Sequence, residues 1–281
     1  MNSRDLRSPH LTTNNGLRIP QLGFGVWQIE DHAEEVILDA IEVGYRHLDT
    51  AMIYHNEREV GRAVTSCGVP RKELFVTTKL FNTDHGTDEA FAAFDASLDR
   101  LALDYVDLYL IHWPMPGVDR YVESWKALER IADSGRAKAI GVSNFMPDHL
   151  ERLAAETGTV PAVNQIELHP EHQQAVVSSY NSNHGILTEA YSPLANGRVL
   201  DHPSLAAIAT KHGKSVPQVL LRWHMDKGNV AIPKTSTRAR MVENLNIFDF
   251  SLDAAEIDAI DAFERGPAAR VGNDPYEVNG P

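Results

Sequence analysis

The sequence has almost no cysteine, no long apolar run and a shortage of positive charge. Its one thiol, Cys67, excludes an internal disulfide framework and any cysteine-rich metal site, and reads as an ordinary packing residue. No stretch of about 18 apolar residues exists from which a membrane-spanning helix could be built. Residues 1–7 lack the apolar centre of a secretory signal, so the expectation is a cytoplasmic protein with no membrane partner. Lysine and arginine number 26 against 39 acidic residues, a formal charge of −13. That balance argues against nucleic acid as a partner, because phosphate backbones need broad basic patches. Any anionic ligand must then be held by a local cluster of cations. The acidic residues are spread through helix-like stretches, as expected of a solvated surface.

Linkers and low-complexity segments are missing too. Instead, eight β-rich runs, at 21–24, 46–49, 74–79, 106–112, 139–142, 162–165, 186–190 and 230–233, alternate with longer stretches along the 281 residues. Apolar residues recur at helical spacing over 34–43, 88–101, 121–134, 147–155 and 216–225. The pattern predicts an α/β fold, a (β/α)₈ TIM barrel rather than an open doubly wound sheet, as a single domain over 1–281. Asn14-Asn15-Gly16 within 11–18 predicts a short N-terminal β-hairpin, placed to plug the barrel's bottom. In such a barrel, functional side chains gather where the strands end, at their C-terminal mouth.

The motifs meet that requirement. Asp49 ends the second run in Tyr45-Arg-His-Leu-Asp49-Thr-Ala-Met-Ile-Tyr54-His-Asn-Glu, and Tyr54 follows in the loop. Lys79 closes Phe75-Val-Thr-Thr-Lys79, and His112 closes Leu108-Tyr-Leu-Ile-His112-Trp-Pro. Asp49, Lys79 and His112 are separated by roughly 30 residues, the length of one βα unit, so a barrel brings them together at one mouth. A lysine at the end of a buried strand needs a partner, and Asp49 is the obvious one. A tyrosine beside that ammonium is expected to have its pKa lowered, which suits a proton donor. Taken singly, each has a plainer role: Asp49 as a helix cap, Tyr54 as a packed loop aromatic, His112 as a satisfied core histidine. Those roles do not explain why the four align at successive strand ends.

Asp-Thr-Ala-x-x-Tyr-x-Asn-Glu, Thr-Thr-Lys and Asp-Leu-Tyr-Leu-Ile-His-Trp-Pro together resemble the aldo-keto reductase family, along nearly the whole chain. The sequence is most similar to short prokaryotic members of the 2,5-diketogluconate reductase type, and its ending Arg270-Val-Gly-Asn-Asp-Pro is similar to theirs. The resemblance implies an NADPH-dependent reductase of aldehydes and ketones, with Tyr54 as general acid, Lys79 and Asp49 tuning it, and His112 orienting the carbonyl. It implies that Trp27 and Trp113 wall the substrate pocket with Tyr54 and His112, although buried core aromatics explain the tryptophans nearly as well. Small-molecule carbonyls such as dicarbonyls and keto-sugars are the expected substrates, the short tail suggesting an open pocket. A monomer is expected by the same resemblance.

Two further groups of residues fit a cofactor. Gly141-Val-Ser143-Asn144 and Val163-Asn-Gln165 place hydroxyl and amide groups just past strands, where paired donors and acceptors suit a nicotinamide carboxamide. Ala190-Tyr191-Ser192-Pro193-Leu194 follows another strand, and Tyr191 there is suited to stack on the ring. The resemblance assigns Ser143, Asn144, Gln165, Tyr191, Ser192 and Leu194 to the cofactor; helix capping is the plainer role for Ser143 and Asn144. Ile232-Pro-Lys234-Thr235-Ser236-Thr237-Arg238-Ala-Arg240-Met-Val-Glu243-Asn244 joins cations and hydroxyls to a helix start, an anion site in physical terms. It resembles the family's adenosine 2′-phosphate pocket, which implies Lys234 and Arg240 on the phosphate, Asn244 near the adenine, and Thr235, Ser236 and Glu243 among the cofactor-binding residues. Pairing with surface acids is the alternative for its cations.

Other signals are weak. Gly23-Phe-Gly25 lacks the third glycine of a dinucleotide fingerprint and reads as backbone clearance beside Trp27. His169-Pro-Glu-His172 has no matching ligand set, so no metal is expected. Two rivals remain: a lyase using Lys79 as a Schiff-base nucleophile, and a non-catalytic cofactor-binding subunit.

Overall fold

The computed structural model describes residues 8–280. The stretch 1–7, read above for a signal, lies outside them. Two short antiparallel strands come first, β1 (His10–Thr12) and β2 (Arg18–Pro20), joined by a turn in which Gly16 takes φ 86°. Eight parallel strands follow in sequential order: β3 (Phe24–Gly25), β4 (His47–Asp49), β5 (Phe75–Leu80), β6 (Val106–Ile111), β7 (Ala137–Ser143), β8 (Val163–Glu167), β9 (Leu187–Tyr191) and β10 (Val230–Ala231). A parallel bridge between Leu22 and Ala231 joins the two ends of the sheet, supported by Gly23 N–H donating to Ala231 O at 2.8 Å. The chain is thus a (β/α)₈ barrel with an N-terminal hairpin.

The expected helices form as α1 (Ala33–Val43), with α2 (Glu57–Ser66) after it, α3 (Thr87–Leu101), α4 (Tyr121–Asp133) and α5 (Pro147–Glu156). Then come α6 (Ala175–Asn183), α7 (Pro203–His212), α8 (Val216–Asp226), α9 (Arg238–Leu245) and α10 (Ala254–Asp261). Capping chemistry sets some of these starts: Ser215 and Gln218 form a reciprocal box before α8, as do Asp253 and Glu256 before α10. The first and last barrel strands are only two residues long, shorter than the expected runs 21–24 and 230–233. There the ladder gives way to scattered bonds such as Gly25 N–H to Pro233 O.

Strand alternation divides the side chains into two cores. Outward residues, among them Leu48, Val76, Tyr109, Ile111, Val142 and Ile166, pack under the helices. Inward residues at the lower end, Phe75, Leu108, Leu110, Ala139, Val163 and Val230, form a second cluster with Ile19 of β2, and Leu11 and Leu17 pack on it. The hairpin therefore closes the bottom of the barrel with apolar side chains. Above that layer the same alternation turns polar, with His47 and Asp49, Thr77 and Lys79, Gln165, and Glu189.

Glycine is required where α2 meets α3. A Cβ at Gly61 would overlap the carbonyl oxygen of Leu101. Gly61→Ala should therefore cost about 1–3 kcal/mol, the usual range for overpacking, and lower the urea midpoint; an unchanged midpoint would mean that α2 can move away freely.

Candidate functional site

Lys79 is the centre of the mouth. It ends the inward row of β5, is fully buried, and donates to Asp49 Oδ1 at 2.7 Å and to the Thr50 carbonyl at 2.9 Å. Its Nζ also lies 3.5 Å from the Tyr54 hydroxyl. Burial alone would lower the Lys79 pKa, but the charge and hydrogen bond of Asp49, with Tyr54 close by, outweigh it and hold the ammonium above its ordinary value. That is the reverse of what a Schiff-base lysine needs.

Tyr54 sits in a short turn, Met52–Tyr54, held by Asn56: Thr50 Oγ1 donates to Asn56 Oδ1 at 2.7 Å and Asn56 Nδ2 to Val26 O at 2.9 Å. The expectation of a lowered tyrosine pKa is corrected here. Burial around the hydroxyl raises it, and the opposing pull of Lys79 does not cancel that. His112 follows β6, its ring 5.9 Å from that of Tyr54 and nearly perpendicular at 77°. Burial, then the Lys79 charge, hold its pKa well below the usual histidine range. The imidazole is neutral, with one N–H to offer a ligand. Trp113 is half-buried next to His112, whereas Trp27 is 51% exposed in the loop after β3.

The amide and hydroxyl groups do not cap helices. Ser143 Oγ donates to Gln165 O, and Asn144, in the left-handed region at φ 64°, donates to His112 O at 3.0 Å. Tyr191 in turn donates to Asn144 Oδ1 at 2.9 Å. Gln165 Nε2 bridges Asp49 Oδ2 at 2.8 Å and Glu189 Oε2 at 3.0 Å. After β9 the backbone is left-handed at Ser192, Ala195 and Asn196, with Leu194 half-buried between them.

The cations after β10 divide into two kinds. Arg238 pairs with Asp39 and Glu42 of α1. Lys234 and Arg240 are exposed and, like the buried Asn244, have no side-chain partner among the described residues. Thr235 is buried and accepts from Thr237 N–H at 3.1 Å, Ser236 is exposed, and Glu243 is half-buried. Thr237 gives α9 no side-chain cap, so its first N–H groups are unclaimed by one.

Several residues were not singled out from the sequence. Glu189 and His47 lie inside the barrel; their signal was alternation, since each stands two positions before a mouth residue, Tyr191 and Asp49. Glu167 accepts from the N–H groups of Val271 and Gly272 and so holds the tail. From there the tail follows the rim, with Tyr276 donating to Asp148 and Asn82 to Gly280 O. Gly23 and Gly25 clear His47 and Ile232 rather than Trp27. His169 bonds Glu167, Glu171 pairs with Arg265, and among the described residues no group of three potential ligands gathers for a metal. No helix among the described residues is long and apolar enough to cross a membrane.

Comparison with known proteins agrees with this architecture. The model of the aldo/keto reductase family matches residues 21–265. An aldo-keto reductase of Mycolicibacterium smegmatis is 49% identical over 273 residues, 97% of this chain and 98% of the relative. Glyoxal reductase of Bacillus subtilis is 47% identical, covering 94% of this chain and 95% of its own. Among solved structures, a mutant of Gox0644 in complex with NADPH superposes with a TM-score of 0.92 at 43% identity, over 96% of this chain and 98% of that one. The chain belongs to the aldo-keto reductase family and is an enzyme of that class.

Buried histidines, His47, His85 and His224 among them, make stability depend on pH. Burial is the main cause that pushes His47 and His85 down to about 4 and His224 to about 3. Below an unfolded pKa of about 6.5 the unfolded chain takes up protons that the folded one refuses. Their contribution is complete above that value and is lost as pH falls toward 4, by up to about 1.4 kcal/mol per pH unit per histidine. Urea unfolding at pH 7, 6 and 5 should show the decline; a flat series would mean that these sites protonate without penalty.

Proposed function

We propose that this enzyme reduces small aldehydes and ketones, dicarbonyls or keto-sugars among them, with NADPH as hydride donor and Tyr54 as proton donor. One observation carries the reading: the Lys79 ammonium lies against both Asp49 and the Tyr54 hydroxyl, at 2.7 and 3.5 Å, with neutral His112 beside them at the strand ends. Bound there, the nicotinamide supplies hydride to the carbonyl carbon. As hydride arrives, negative charge grows on the carbonyl oxygen, and hydrogen bonds from Tyr54 and His112 strengthen with it. The tyrosine gives up its proton beside a cation that favours phenolate over phenol. Asp49 keeps that cation in place, and Trp27 and Trp113 wall the pocket. The glyoxal-reducing relative supports the carbonyl class.

The residues present fit the cofactor. Gln165, Ser143 and Asn144 would hold the carboxamide, Tyr191 the ring, and the Ser192–Leu194 segment the phosphates. Lys234 and Arg240 would hold the 2′-phosphate, with Thr235 and Ser236 as hydroxyl donors and Glu243 and Asn244 toward adenine. What favours this over a merely basic helix start is that Arg238 is neutralised by acids while Lys234 and Arg240 are left unpaired. The NADPH-bound relative supports the same choice. We further infer a one-domain, monomeric cytoplasmic protein.

Tyr54→Phe should lower reduction of a dicarbonyl by about 10²–10⁴-fold while leaving NADPH affinity close to native; near-native turnover would remove Tyr54 from the role of acid. Replacing Lys234 and Arg240 by alanine should weaken NADPH far more than NADH, roughly tenfold or more for each charge-assisted hydrogen bond removed. Equal losses for both cofactors, measured by fluorescence titration, would show that neither residue reads the 2′-phosphate.

A further inference from the structure

Glu189 has no cation of its own. It lies in the middle of β9, fully buried and facing inward, paired in register with Gln165 on one side and Val230 on the other. His47 and Asp49 face it from β4, Lys79 from β5 and Gln165 from β8, with Tyr54 above. The only ammonium among these, Lys79, is already taken by Asp49. Glu189 Oε2 accepts from Gln165 Nε2 at 3.0 Å; Oε1 has no hydrogen-bond partner and lies 3.5 Å from His47 Nε2. His47 is itself kept neutral by burial, its pKa pushed down to about 4.

Gln165 is thus held at two points. Its amide nitrogen has two hydrogens, and one goes to Asp49 Oδ2 while the other goes to Glu189 Oε2. The reverse orientation would set the amide oxygen against the Asp49 carboxylate that pairs with Lys79, an acceptor facing an acceptor. With Asp49 alone, one N–H would be free and the side chain could swing.

We propose that Glu189 is a positioning residue: it clamps the amide nitrogen of Gln165 against Asp49, leaving the amide oxygen as the group presented to the cofactor's carboxamide, and holds a proton on Oε1 while the enzyme works. This rests on the NADPH reading above. Burial, then the charge of Asp49, push the Glu189 carboxyl up to about 8, against the pull of the Gln165 hydrogen bond and Lys79. When Glu189 ionises, a second negative charge enters the mouth network and raises the proton affinity of Tyr54. The tyrosine becomes a weaker acid, and reduction slows. Activity on this account is present below the Glu189 pKa and falls as pH rises through it.

Two variants test the two halves. Glu189→Gln keeps the shape and cannot ionise, so the fall of kcat centred near pH 8 should vanish, raising the ratio of kcat at pH 9 to kcat at pH 6.5 by up to about tenfold over native, the change expected one unit above a pKa. An alkaline limb identical to native would overturn the proposal. Glu189→Val removes the second anchor, and NADPH should bind about tenfold more weakly by fluorescence titration, with Gln165→Ala adding little further loss in that background. Additive losses from the two substitutions, or native affinity in Glu189→Val, would equally overturn it. Circular dichroism melting of each variant separates a folding defect from a loosened amide. Failure of the native protein to bind NADPH would instead sink the functional reading itself, before either variant is compared.

Discussion

A buried ammonium is the constraint around which the upper half of this barrel is arranged. Lys79 has no access to solvent, so its charge has to be met inside the fold. Asp49 meets it at 2.7 Å and the Thr50 carbonyl at 2.9 Å, and removing the aspartate would leave an unpaired buried charge, a defect of about 3–5 kcal/mol. The other polar groups follow from that pair. Asp49 has a second oxygen to satisfy, which Gln165 does; the remaining hydrogen of Gln165 goes to Glu189. With one cation present, charge balance permits one ionised carboxylate, and Glu189 is the one whose proton affinity is raised. His47 and His112 are neutral for a related reason, since burial and the nearby ammonium both disfavour imidazolium.

Much of this was legible in the sequence because strands of a parallel barrel end where chemistry begins. Asp49, Lys79 and His112 could be recognised as polar residues closing apolar runs, and their spacing translated into proximity once a barrel was assumed. The hairpin was legible from Asn14-Asn15-Gly16. Strand limits at the seam were not, because β3 and β10 are held by scattered bonds across the closure rather than by a continuous ladder. The sign of the tyrosine shift was also illegible. Sequence proximity of Lys79 gives the direction of one charge effect but says nothing of how much solvent the fold removes, and removal of solvent is the larger effect. Glu189 was hidden for a third reason: an acid inside a short apolar run looks like a surface position until alternation from Tyr191 puts it on the inner side.

The barrel's two ends share one alternation and differ in what fills it. Inward residues near the bottom are Phe75, Leu108, Ala139 and Val163, packed on Ile19 from the hairpin, which shuts water out from below. That closure matters at the mouth, since water entering from beneath would solvate Glu189 and lower its proton affinity. The hairpin, though far from the chemistry in sequence, is in this sense part of the electrostatics of the site. It supplies the low-polarity floor against which the Lys79 network is strong.

The same contrast of paired and unpaired charge bears on where a protein of net charge −13 has cations free to meet an anion. Most of its surface cations are committed: Arg62 to Glu34 and Glu59, Arg120 to Glu89 and Glu123, Arg152 to Asp119 and Glu156, Arg238 to Asp39 and Glu42. A cation so paired presents little field to a ligand. Lys234 and Arg240 are among the cations without an acidic partner, and they stand where α9 begins without a side-chain cap. Because Arg238 lies between them in sequence and is neutralised, the positive field at this helix start comes from two residues only. A phosphate arriving there would find two free cations beside unclaimed N–H groups, with no carboxylate partner to displace. Holding an anion at this place then needs no excess of basic residues over the whole surface, only cations left without acids beside a helix start.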